Sequence, residues 1–158
     1  MKFTHLAAAA IAVACLVSGC ASVNKASTAA NAQAKTFAPI TDKAVVYVYR
    51  DEIMGSAIKM GVDVDGVMAG ETGPKSFLRL ALAPGKHVIT SHAEKNTSLD
   101  LDTKAGQSYY VWQEVKMGVW TARSTLHLMS TADGQKGVRS CDLLETSAPS
   151  MRVGASAP

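Results

Sequence analysis

Residues 44–50 read Ala-Val-Val-Tyr-Val-Tyr-Arg, and this stretch decides the fold class. Nearly every position carries a β-branched or aromatic side chain, the residue types that fit a pleated strand. Apolar and polar residues do not alternate, so neither face of the strand is adapted to water. Such a pattern is typical of a central strand that is covered on both faces. The sequence therefore predicts a layered β structure with this strand inside it.

The next segment, residues 58–64, alternates between apolar and polar side chains, which predicts a strand with one buried face. It leads directly into Asp65-Gly66. An Asp-Gly pair between two strand-like segments indicates a hairpin, because glycine accepts the positive φ of a tight primed turn. Residues 67–71 are therefore expected to return beside residues 58–64.

Further short strands follow, separated by glycine-containing turns at intervals of roughly eight to twelve residues, with no long amphipathic helix between them. This spacing predicts an all-β fold, either a small antiparallel β-sandwich of prealbumin-like type or a partly open barrel. After a turn at Asp133-Gly134, the segment that contains Val138 and Leu144 fits either a last strand or one short C-terminal helix. The other expected strands are residues 76–81, 86–93, 97–103, 107–115 and 122–129.

Four motifs, taken in order, resemble a known bacterial family. They are V-V-Y-V-Y-R at 45–50, V-D-V-D-G at 62–66, F-L-R-L-A-L-A-P-G-K-H-V-I at 77–89 and G-Q-S-Y-Y-V at 106–111. Over most of residues 43–144 the chain looks like the bacterial lipoprotein and periplasmic family called domain of unknown function 2846. The Asp-Gly hairpin and the later Pro-Gly turn more weakly resemble PEGA modules. The first resemblance implies an all-β fold and a cell-envelope address, and it transfers no activity and no functional residues.

The first twenty residues form a separate unit. A basic start at Lys2 precedes an apolar run that is shorter than the roughly 20 residues a membrane helix needs, which is the layout of a secretory signal. The run closes with Leu-Val-Ser-Gly-Cys at 16–20, which resembles the lipobox of bacterial lipoproteins. The resemblance implies that residues 1–19 are a cleaved signal peptide and that acylated Cys20 begins the mature chain. Ala21, where an aspartate would signal inner-membrane retention, favours the periplasmic face of the outer membrane.

The two ends of the mature chain contain few large apolar side chains. Residues 21–39 consist mostly of Ala, Ser, Asn, Thr and Gln, and the C-terminal residues have a similar composition. Segments of this kind bury too little surface to offset the entropy of ordering. The predicted organisation is therefore a lipidated cysteine with a flexible tether at 20–41, a β-sandwich domain at 42–145 and a disordered tail at 146–158.

Charge and cysteine content exclude further classes of protein. The formal net charge is +3 and the basic residues form no run, so the electrostatic footprint of a nucleic-acid-binding protein is absent. Of the 3 cysteines, Cys15 belongs to the signal peptide and Cys20 is the expected lipidation site. Cys141 then remains alone, so no internal disulfide can form.

No catalytic or metal-binding motif stands out in the sequence. His87 and His92 are five residues apart in one expected strand, so their side chains point to opposite faces. Asp63 and Asp65 lack the rest of a calcium loop, and phosphate-binding and serine-hydrolase motifs do not occur. We therefore expect a non-enzymatic binding or structural module without metal or cofactor. The alternative is a periplasmic metal carrier or a thiol-dependent enzyme that uses Cys141 and His127.

Residues 117–120, Met-Gly-Val-Trp, are apolar where a polar loop is expected. Gly118 breaks the strand pattern, so Met117, Val119 and Trp120 fall at a strand end, where cover by the sheet is least assured. Exposed apolar side chains of this kind mark interaction surfaces. We interpret these three residues as a surface for an envelope protein or a glycan. The alternative is a loop that folds back over the end of the sandwich.

Overall fold

The computed structural model of this chain describes residues 23–55 and 57–154. The expected signal peptide, Cys20 and Ala21 lie outside the described residues, as do the last four residues of the expected tail. The helices are α1 (Thr28–Ala34) and α2 (Thr131–Arg139), and a short 3-10 helix covers Pro149–Met151. The strands in the described residues are β1 (Ala44–Arg50), β2 (Met60–Val64), β3 (Val67–Thr72), β4 (Ser76–Leu82), β5 (Gly85–His92), β6 (Thr97–Thr103), β7 (Ser108–Met117), β8 (Ala122–Met129) and β9 (Asp142–Leu143).

Two mostly antiparallel sheets pack face to face. One has the strand order β8-β7-β1-β4-β9 and the other has the order β3-β2-β5-β6. The pairs β1–β7 and β4–β9 are parallel. The two sheets are separate and do not close into a barrel, so the prediction of an all-β sandwich is confirmed.

Strand β1 lies at the centre of the five-stranded sheet, and every one of its residues is buried. Val46 and Val48 belong to the core between the two sheets. Val45, Tyr47 and Tyr49 belong to a second core, which α2 covers on the outer face of the sheet. The absence of alternation in this strand therefore reflects a third layer of the fold, and the prediction of a strand covered on both faces is confirmed.

The Asp-Gly hairpin forms between β2 and β3 as predicted. Asp65 and Gly66 have φ values of 52° and 79°, the left-handed region that a tight primed turn requires. The Asp65 carboxylate accepts a hydrogen bond from the Val88 amide at 2.8 Å, so the turn is also tied to β5.

The prediction of a flexible tether is wrong for the described residues 23–41. Helix α1 begins after Ser27, whose hydroxyl accepts from the Ala30 amide, and Asn31 accepts from the Leu143 amide. The main anchor is Phe37, whose ring packs edge-on against the ring of Tyr47 at 5.5 Å between centroids. Composition hid this packing because it depends on a few side chains: Ala34 and Phe37 are buried in the core on the outer face, and Ile40 packs against it.

Two C-terminal predictions also need correction. The tail is ordered through residue 154, because the Ser147 amide donates to Ala69 and because Ala148 and Met151 are buried in the core between the sheets. Asp133-Gly134 is not a turn, since both residues lie within α2. The segment that was expected to form either a last strand or a short helix contains both, because β9 follows α2.

Candidate functional site

Exposed apolar side chains gather at one end of the sandwich. Here the β1–β2 loop (residues 51–59) and the β7–β8 hairpin loop (residues 118–121) lie side by side above a small buried cluster of Met60, Val115 and Ala122. We call this region the apolar end, and it consists of Ile53, Met54, Met117, Val119 and Trp120.

The hairpin loop does not fold back over the sandwich. Met117 is 77% exposed, Val119 is 70% exposed and Trp120 is 90% exposed. A side chain as large as tryptophan rarely projects into solvent to this extent, and exposed clusters of apolar groups mark interaction sites. The three residues that the sequence singled out therefore lie on one open surface.

Glu94, in the loop between β5 and β6, holds the hairpin loop in place. Its carboxylate accepts hydrogen bonds from the backbone amides of Thr121 at 2.9 Å, Trp120 at 3.0 Å and Val119 at 3.3 Å. The Arg123 guanidinium donates to the same carboxylate, with the closest contact at 2.7 Å. The backbone beneath the exposed indole is therefore fixed by hydrogen bonds.

These donors stabilise the charged form of Glu94. The backbone amides of Thr121 and Trp120, together with the Arg123 guanidinium, lower the pKa of this carboxyl to about 2. Because the pKa of Glu94 is lower in the folded state than its ordinary value of 4.5, the ionised carboxylate stabilises the folded state fully above pH 4.5. This stabilisation is lost as the pH falls toward 2. The hairpin loop is therefore fully held at neutral pH.

Replacing Glu94 with glutamine is expected to loosen the hairpin loop without unfolding the domain. The amide keeps the shape but removes the charge and one acceptor oxygen. Amide hydrogen exchange of residues 119–121, followed by NMR at neutral pH, should accelerate several-fold. Glu71→Gln is the matched control, because Glu71 is exposed, pairs with Lys59 at 3.6 Å and lies in β3. Unchanged protection in Glu94→Gln would contradict the role assigned to this carboxylate.

Arg50 holds the neighbouring β1–β2 loop. This side chain is fully buried at the end of β1. Its guanidinium donates to the carbonyl oxygens of Met54 at 2.6 Å, Gly55 at 2.8 Å and Ile58 at 2.8 Å. A buried cation that binds three carbonyls of one loop fixes the position from which Ile53 and Met54 project.

Four residues of this site were not predicted from the sequence, namely Ile53, Met54, Arg50 and Glu94. The pair Ile53-Met54 carries the same signal as residues 117–120, namely large apolar residues beside a glycine in a loop, and that signal could have found it. Arg50 and Glu94 carry no local signal, because their roles depend on which backbone groups the fold brings to them.

Cys141 and His127, the pair required by the alternative function, bind different partners. The buried Cys141 thiol donates to the Arg50 carbonyl at 3.4 Å, and burial raises its pKa to about 11. His127 binds Glu114 at 2.8 Å, and its ring packs on Trp112 at 5.2 Å between centroids. A thiol nucleophile requires an accessible thiolate with a base beside it, and this arrangement has neither.

Each histidine in the described residues binds a single carboxylate. Burial opposes protonation of His87, but hydrogen bonds to Asp65 and to the Ala83 carbonyl outweigh it and raise its pKa. Residues 23–55 and 57–154 contain no group of three His, Cys, Asp or Glu side chains that could hold a metal ion. The histidine pairs are His87–Asp65 at 2.6 Å, His92–Asp63 at 2.7 Å and His127–Glu114 at 2.8 Å.

The fold and the site define a small sandwich domain with a helical layer on one outer face and an apolar end. The chain belongs to the family described as protein of unknown function (DUF2846), whose family model matches residues 40–125. The resemblance noted from the sequence motifs is thereby confirmed. The matched residues run from just before β1 into β8 and include Arg50, Glu94 and the whole apolar end.

A curated relative extends the comparison over more of the chain. An uncharacterized protein of Haemophilus influenzae is 33% identical over 133 residues, which is 83% of this chain and 79% of that protein.

In the described part of the chain, no helix has the length and apolar character needed to cross a bilayer.

Proposed function

We propose that this protein is a lipid-anchored, non-enzymatic module of the bacterial cell envelope that makes contact through the apolar end. The hairpin loop is the main support for this contact surface. Trp120 is 90% exposed there, and its backbone amide donates a hydrogen bond to Glu94. Binding by a loop that is already ordered costs less conformational entropy than binding by a mobile one. An exposed tryptophan on a fixed backbone therefore suits a contact residue.

The anchor in this proposal is Cys20. The sequence Leu-Val-Ser-Gly-Cys follows an apolar run with a basic start, and Ala21 favours the outer membrane, facing the periplasm. One acyl chain binds a bilayer only marginally, and stable attachment needs a second signal. Acylation of both the thiol and the new amino group of Cys20 would supply two.

Two further observations support a module without catalytic chemistry. The Cys141 thiol is buried with a raised pKa, so its reactive thiolate is disfavoured. Each described histidine is engaged with one carboxylate rather than directed into a shared cleft. A contact surface fits these observations better than an active site.

Mass spectrometry of the N-terminal peptide tests the anchor. Protein from a bacterial membrane fraction is expected to begin at a Cys20 that carries the mass of its acyl groups. Cys20→Ala is expected to shift the protein from the membrane fraction to a soluble or uncleaved exported form. Cys141→Ala is the matched control and should leave both the modification and the fractionation unchanged. An unmodified Cys20, or cleavage at another position, would refute the proposal.

A further inference from the structure

We infer that the apolar end inserts into the bilayer that holds the acyl anchor, so that lipid is the occupant of this surface. The inference rests on the proposed acylation of Cys20. The partner of the apolar end is then the interfacial region of the membrane.

The anchor and the folded domain are separated by very little chain. Val23 already packs against the core between the sheets, and the Asn24 carbonyl accepts from the Glu145 amide at 2.9 Å. Three residue steps lead from Cys20 to Val23, and an extended chain spans at most about 11 Å over three residues. The domain of an acylated protein would therefore lie against the membrane surface.

The start of the described chain lies beside one of the loops of the apolar end. Val23 and Asn24 line a shallow depression together with Lys59 and Glu71. Lys59 is the last residue of the β1–β2 loop, the loop that carries Ile53 and Met54. The described chain therefore begins beside one of the two loops that form the apolar end.

The side chains of the apolar end have the chemistry of a membrane contact. Tryptophan is enriched at membrane interfaces, and methionine, isoleucine and valine bury apolar area among acyl chains. The charged groups of the hairpin strands nearest the loop are paired, Arg123 with Glu94 of the β5–β6 loop at 2.7 Å and Lys116 with Glu114 at 3.0 Å. The attraction therefore depends on apolar burial, and high salt should not reverse it.

Tryptophan fluorescence tests this contact in the intact lipoprotein, because the chain has only 2 Trp. The acylated protein is reconstituted into vesicles of phosphatidylethanolamine and phosphatidylglycerol that contain a fraction of brominated phosphatidylcholine. Trp112→Phe leaves Trp120 as the reporter. Trp120→Phe leaves Trp112, which lies five residues before Met117 in β7 and so about 16 Å from the end of that strand.

We expect the Trp120 emission to move to shorter wavelength in vesicles and to be strongly quenched by the brominated lipid at low and at high salt. The Trp112 emission should change little. Trp120→Phe should leave the thermal midpoint close to that of the parent, whereas Trp112→Phe removes part of an indole that packs on His127 and should lower it. Both midpoints should lie well above the temperature of the fluorescence measurement, so that both reporters are measured in folded protein.

The outcomes separate this inference from the proposed function. Unquenched Trp120 in a sample whose Cys20 is acylated overturns lipid insertion and leaves the lipid-anchored module intact. Trp120 emission that responds to peptidoglycan or to an envelope protein, and not to vesicles, overturns lipid in favour of that partner. Unmodified Cys20 in the same sample removes the proposed function and this inference together.

Discussion

Replacing Arg50 with methionine is expected to lower the free energy of unfolding by about 3 kcal/mol or more, because three carbonyl groups would lose a charged donor in a buried site. The carbonyls of Met54, Gly55 and Ile58 now bind the guanidinium at 2.6 to 2.8 Å. Methionine keeps much of the side-chain length but offers no donor. Urea unfolding followed by far-UV circular dichroism measures the change.

Two companion variants separate hydrogen bonding at Arg50 from charge and from arginine loss in general. Arg50→Lys keeps the charge but cannot direct a planar fork at three acceptors, so an intermediate loss of stability is expected. Arg79→Met removes another arginine of the same sheet, one that is only half-buried and donates to the Tyr47 hydroxyl and the Ala38 carbonyl, so a smaller loss is expected. An Arg50→Met variant as stable as the parent would mean that the loop does not depend on this contact.

The strands could be predicted from the sequence because their signals are local. Residues 44–50, 97–103 and 122–129 coincide with β1, β6 and β8 at both ends. The turn at Asp65-Gly66 was found because its backbone conformation itself requires a residue such as glycine. Alternation and turn chemistry need no knowledge of distant parts of the chain.

The helical layer could not be predicted, because its signals are not local. Helix α1 buries Ala34, Phe37 docks three residues after its end, and α2 buries only Gly134, Gly137 and Val138. Small residues leave no periodic apolar pattern, although they are what allows a helix to lie close to a sheet. The tether and tail predictions failed for the same reason, since composition measures apolar area and not the fit of a few side chains.

The site was predictable in part. Residues 117–120 stood out because an apolar loop conflicts with its expected exposure. Their support did not stand out, because Glu94 is 29 residues before Arg123 and the two belong to different sheets, which meet only when the sandwich packs. The geometry of the apolar end therefore depends on tertiary contacts that a single sequence leaves open.

Replacing Gly134 with alanine is expected to destabilise the domain by roughly 1–3 kcal/mol, the usual cost of overpacking a core. In an exposed helix the same change would stabilise by about 1 kcal/mol, because alanine is the better helix former. Here the glycine is buried, and an added Cβ would overlap the Cβ and ring of Tyr110 in β7. These atoms sit next to the backbone of β7, which is held in the sheet by β1 and β8, so α2 itself would have to move.

Thermal unfolding decides the sign of this effect. Lys136→Ala is the matched control in the same helix, because Lys136 is exposed and its loss should leave the midpoint nearly unchanged. Gly137→Ala should repeat the loss, since its added Cβ would overlap the ring of Tyr49 in β1. A higher midpoint for Gly134→Ala would show that α2 behaves as a solvent-exposed helix and does not pack closely on β7. The core on the outer face of the five-stranded sheet would then depend on Phe37 and α1. The close approach of α2 to the sheet at Gly134 and Gly137 would contribute little.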